Sequence, residues 1–126
     1  MTKETIDRKI KFHRQQIARL QSMSNRIPAP KMERLMELSE KINTAFSFPE
    51  TFIGKKSNLP KLVKARKLFT FIARTQGFYF EEISSFLNVH YSTAMYHFDT
   101  FPVDYQNYPE YFKENNTVLQ AYEISI

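Results

Sequence analysis

Residues 80–101, FEEISSFLNVHYSTAMYHFDTF, read as two short helices broken at Asn88, and this break constrains the fold more than any other feature of the chain. Ile83, Phe86 and Leu87 recur at three- and four-residue spacing, so one face of the first helix must be buried. Asn88 tolerates the left-handed backbone that a tight helix exit needs. Val89 then plugs the angle between two crossed helices. Ala94, Met95, Phe98 and Phe101 repeat at helical spacing as the buried face of the second helix, and Pro102 ends it.

That register leaves His90, Tyr91, Ser92, Thr93, Tyr96 and His97 facing outward. Hydroxyls and rings at a helix amino end are what a recognition helix uses to reach groove edges and phosphates. A small all-α core in which helix, turn and helix only fill space accounts for the same pattern, and on this segment alone the two readings stand level.

Composition narrows the field. With 126 residues, 42% of them hydrophobic, the chain suffices for one domain with a modest core. It has no cysteine, so neither a disulfide framework nor a thiolate metal site can form. The first residues are charged and no stretch approaches the roughly 18 apolar residues of a membrane span, which makes a cytoplasmic protein the expectation. The net charge of +5 conceals an asymmetry: residues 1–76 hold 17 Lys or Arg against 6 Asp or Glu, and residues 77–126 hold 1 against 7. Lys55, Lys56, Lys61, Lys64, Arg66 and Lys67 fall within thirteen residues that contain no acid, a run suited to a polyanion.

Along the chain, residues 1–28 form a first unit. Ile6, Ile10, His13, Ile17 and Leu20 mark an amphipathic helix that either docks on the rest of the domain or dimerises. Residues 29–126 form a single domain. Its first helix spans 31–46, with Met32, Leu35, Met36, Leu38, Ile42 and Ala45 on the apolar face. A loop over 47–58 includes a short helical turn at 49–52. A basic loop and helix follow at 55–76, the helix capped by Ser57 or Asn58, tolerating Pro60 in its first turn and ended by Gly77. The helix pair occupies 79–101, and a last helix spans 109–123, anchored by Phe112, Leu119 and Tyr122. The class is all-α, with about five to six helices.

The sequence argues against catalysis. Gly54-Lys55-Lys56-Ser57 lacks the earlier glycine and preceding strand of a phosphate-binding loop. His90 and His97 lie two helical turns apart, roughly 10 Å, too far to share a metal. Glu81 and Glu82 diverge around a helix and suit its first turn, where the dipole favours acids. No catalytic residue, metal, nucleotide or other cofactor is expected.

In order and spacing, Lys56-Ser57, Ala65-Arg66, Phe71-Ile72-Ala73-Arg74, Glu82-Ile83 and Ser92-Thr93 resemble the C-terminal DNA-binding domain of the bacterial replication initiator DnaA, a relative in fold of the Trp repressor. The resemblance covers about a third of the chain. It implies a DnaA-like helix-turn-helix that binds double-stranded DNA without the nucleotide-hydrolysing module: a transcriptional regulator or replication accessory factor at the nucleoid, of the kind a phage or mobile element carries. The chain has Asn58 where the family has a minor-groove arginine, and His90-Tyr91 where it has Asp-His. On this reading Lys55, Lys56, Lys61, Lys64, Arg66 and Lys67 neutralise phosphates, which sets affinity rather than sequence preference. Ser57 and Asn58 belong to the contacting loop. His90, Tyr91, Ser92, Thr93, Tyr96 and His97 meet the groove. A homodimer through the first helix is compatible with this. The competing expectation is a non-catalytic adaptor that uses the same helical core to bind another protein.

Overall fold

The fold is that of a computed structural model describing residues 27–53 and 57–125. Residues 1–26 of the expected N-terminal helix, with its docking or dimer contact, and Gly54, Lys55 and Lys56 lie outside the described residues. The described elements are α1 (Ala29–Phe46), α2 (Pro60–Thr75), α3 (Phe80–Leu87), α4 (Tyr91–Asn107), a 3-10 turn (Pro109–Tyr111) and α5 (Phe112–Ala121). The described residues include no strand, and the fold is all-α.

The helix α2 is the axis of the domain, packed against α1, α3 and α4. From Ala65 to Ala73 all its residues are buried except the half-buried Phe71. Two chains of rings leave it in different directions. Phe69 stacks on Phe86 of α3 at 5.3 Å and meets Phe52 edge-on at 6.0 Å, and Phe52 continues through Phe48 to Phe46 of α1. Phe71 contacts Phe101 at 4.8 Å and Phe98 at 5.6 Å, both on α4. Offset and edge-on ring pairs add to area burial, so the aromatic content fixes the order in which the helices stack.

Four helix exits share one device. Ser47, Gly77, Asn88 and Glu123 take positive φ, from 55° to 98°. The amide that follows each of these residues reaches back to a carbonyl five residues earlier: Phe48 to Asn43, Phe78 to Ala73, Val89 to Ser84 and Ile124 to Leu119, at 3.0–3.1 Å. This closure satisfies orphan carbonyls and turns an apolar residue onto the core. Asn88 and Val89 behave as their sequence indicated. Gly77 does too, because only glycine adopts φ 98° without strain.

The expected boundaries change in five places. First, α1 begins at Ala29, two residues early, because Pro30 fits its first turn; Met36 points outward at 51% exposure. Second, residues 49–52 form no helical turn, only a bend at Pro49 and Glu50, and the Phe52 amide bonds the Asn43 side chain at 3.1 Å. Third, neither Ser57 nor Asn58 caps α2. The cap position is Leu59, and Ser57 Oγ accepts the Leu59 amide at 3.2 Å. Fourth, the segment 109–123 opens as a 3-10 turn and becomes α-helical only from Phe112.

The fifth change matters most for the site: Pro102 does not end α4. A proline removes the bond to the carbonyl four residues back and normally kinks or breaks a helix, yet α4 continues to Asn107 with Pro102 inside it. Tertiary contacts hold the turn beyond it. Phe101 is fully buried against Phe71, Asp104 pairs with Lys67 of α2, and the Tyr105 hydroxyl donates to the Asn116 side chain.

Candidate nucleic-acid interface

The buried positions of α4 are Ala94, His97 and Phe101, with Phe98 half-buried. The helix is therefore rotated from the expected register: Met95 is 40% exposed and His97 lies inside. Spacing of three, four and four from Ala94 through His97 and Phe101 to Tyr105 describes this face, but the polar character of histidine disguised it. Four of the expected outward residues do project. His90, Tyr91, Ser92 and Tyr96 are exposed, and Thr93 is half-buried.

These side chains rest on the domain beneath them. The Tyr91 ring meets Phe80 edge-on at 5.9 Å, and the Arg74 guanidinium lies 4.7 Å from the same Phe80 ring. Arg74 also donates to the Phe78 carbonyl at 3.1 Å. With Tyr79, Glu81 and Tyr91 these residues line a small groove of about 350 Å3 beside the amino end of α4. Arg74, part of the Phe71-Ile72-Ala73-Arg74 motif, reaches this edge because it lies in the last turn of α2. Tyr96, 60% exposed, stands over Lys67, whose ammonium is 5.4 Å from the ring.

The basic run of 55–67 divides into unlike parts. Lys61 and Asn58 are exposed; the Lys61 ammonium lies 5.6 Å from the Phe48 ring. Lys64 is half-buried and donates to the Glu110 carbonyl at 2.7 Å. Ser57 is half-buried. Its carbonyl accepts the Arg66 guanidinium, which also donates through Nε to the Leu62 carbonyl at 3.3 Å. Arg66 is buried, and loss of water pushes its pKa below the ordinary arginine value. Lys67 is buried as well, 2.6 Å from Asp104. Arg66, Lys67 and His97 thus sit within the fold rather than on the surface where the sequence placed them. For Arg66 and Lys67 the reason is that α2 is packed against α1, α3 and α4, so even its charged positions find internal partners, whereas His97 is turned inward by the register of α4.

His97 has no hydrogen-bond partner for Nδ1, and its pKa falls from 6.5 to about 4, first through burial and then through the positive charges of Lys67 and Arg66. The ring is neutral near pH 7. Between pH 6.5 and 4 the unfolded chain takes up a proton that the folded chain refuses, so stability falls as pH falls through this window. The expected loss is on the order of 2 kcal/mol, since residual water screens the ring. Urea midpoints at pH 7 and pH 4.5 check it: His97→Gln should shrink the difference between them, and an unchanged difference would assign the acid sensitivity elsewhere.

The described residues hold nine Lys or Arg and eleven Asp or Glu, so the positive excess of the chain resides in residues 1–26 and in Lys55 and Lys56. Among the described residues no group of three or more His, Asp or Glu side chains is arranged to hold a metal ion, and no helix is long and apolar enough to cross a membrane. In comparisons with known proteins, no family model, no curated protein and no solved structure matches the chain.

Proposed function

We propose that the protein binds double-stranded DNA through the amino end of α4, as a regulator or replication accessory factor with a DnaA-like helix-turn-helix. The observation that supports this best is the exposed cluster of His90, Tyr91, Ser92 and Tyr96 directly after the left-handed turn at Asn88. A helix entered through such a turn and packed across α2 and α3 presents its first turns outward, as groove reading requires. Ser92 and Thr93 offer hydroxyls to phosphates or base edges, and the rings offer flat apolar surface. α4 has no Lys or Arg, so the bidentate guanine contact is absent from it, which supports specificity that is either modest or A·T-leaning.

Affinity then comes from Lys55, Lys56 and Lys61, with Lys64 at the margin. Arg66 and Lys67 act as positioning residues in this reading. Arg66 ties the carbonyl of Ser57, the end of the basic loop, to α2. Lys67 fixes α4 through Asp104 and supports Tyr96 from below.

Selection from a random duplex pool, repeated with two variants, tests the division of roles. Charge reversal at Lys55, Lys56 and Lys61 to Glu should weaken every sequence alike, whereas Ser92→Ala with Thr93→Ala should flatten the selected motif while retaining most affinity. Uniform weakening by both variants would contradict the assignment of α4. One observation favours a second reading, a protein-binding adaptor: Met95, Tyr96 and Val103 form an exposed apolar stripe on α4, interrupted only by Asp99. An adaptor would bind no duplex.

A further inference from the structure

A groove of about 660 Å3 runs between α1 and α5, remote from α4 in the sequence and independent of the DNA reading. Thr44, Ala45, Val118 and Ala121 supply its apolar and small surfaces, and Glu37 and Glu40 stand on its rim. Lys41 is the basic residue of the lining, and its ammonium lies 4.8 Å from the Tyr122 ring. The exposed positions of α1 include Glu33, Glu37 and Glu40, with Arg34, Lys41 and Met36 exposed among them, so two acids face one base along the groove itself. An anionic rim repels phosphates and suits a basic amphipathic helix.

The chain contains one segment of that kind. Residues 1–26 hold seven Lys or Arg against two Asp or Glu, and their apolar positions Ile6, Ile10, Ile17 and Leu20 follow helical spacing. The segment joins the domain where it can reach the groove: Ile27 is fully buried at the amino end of α1, and Pro28 leads into the helix with extended backbone. A short connection favours an antiparallel neighbour. The 18 residues of α1 extend about 27 Å, and residues 3–24 as a helix would extend about 33 Å. Counting outward from Ile27 sets Ile17 level with Glu37, His13 level with Lys41, and Ile10 level with Thr44.

We infer that residues 3–24 of the same chain fold back along α1 and seat Ile10 and Ile17 in the α1–α5 groove, with their Lys and Arg side chains against Glu33, Glu37 and Glu40. The full-length protein tests this with a nitroxide on Gln16→Cys, a unique site because the chain has no cysteine. The expected result is loss of the amide signals of Thr44, Ala45, Val118 and Ala121 when label and isotope share one chain. Those signals should return in the labelled protein carrying Ile10→Asp and Ile17→Asp, and partly return with Glu37→Lys and Glu40→Lys. Undiminished signals in the labelled parent would overturn the inference. So would their loss when the nitroxide sits on one chain and the isotope on another, which would make a second copy the occupant.

Discussion

Phe69→Ala should lower the free energy of unfolding by about 3–5 kcal/mol, the cost of removing a fully buried aromatic side chain and leaving a cavity that rigid neighbours cannot fill. Phe69 has no exposed surface, stacks on Phe86 and meets Phe52 edge-on, so the substitution loosens α3 and the loop after α1 at once. Domain stabilities lie near 5–15 kcal/mol, so the variant should be partly unfolded or melt far earlier. A urea titration reads the change as a lower midpoint at similar slope. A loss below about 1 kcal/mol would mean that the ring chain from α1 to α3 does not hold the domain together.

The second large effect is expected at Asp104. Its carboxylate lies 2.6 Å from Lys67, whose side chain is 10% exposed. Asp104→Ala should cost about 3 kcal/mol, because it leaves a buried ammonium without its partner. Replacing both residues by apolar ones, Lys67→Met with Asp104→Leu, should restore most of the loss, since a desolvated ion pair is often no better than well-packed hydrocarbon. The same pair holds the turn beyond Pro102, so Asp104→Ala should also speed amide exchange over Val103 to Asn107. A double substitution no more stable than Asp104→Ala alone would show that packing, rather than the uncompensated charge, dominates.

These two sites mark what the sequence did and did not convey. The chemistry of single residues was legible: Asn88 and Gly77 take the left-handed turns that their backbone freedom suggested, and Ile83, Phe86 and Leu87 are buried as their spacing required. Effects that depend on distant partners were not. Pro102 looked like a terminator because local sterics oppose helix there, whereas Lys67, thirty-five residues earlier, holds the following turn through Asp104. Lys67 and Arg66 belong to a run that reads as a phosphate-binding surface, and the enclosure of α2 turns them inward. His97 is buried and Met95 exposed, against their hydrophobicity, because the face that runs from Ala94 through Phe101 passes through position 97 rather than 95. Asn115 was unforeseen as well: it is fully buried on α5 with neither amide atom hydrogen-bonded.

For the interface, burial of Arg66 and Lys67 leaves fewer cations of the run 55–67 for phosphates than the sequence advertised, and that makes the electrostatic claim quantitative. On the DNA reading, duplex affinity should depend on the exposed Lys61 and on Lys55 and Lys56, which lie outside the described residues. The most direct test is a salt titration of the full chain binding a duplex. The DNA reading predicts that log affinity falls linearly with log salt, at a slope of about −0.9 for each phosphate contacted, and that the Lys55, Lys56 and Lys61 charge reversals flatten that slope. No measurable duplex binding at about 50 mM salt, where such contacts are strongest, would contradict it.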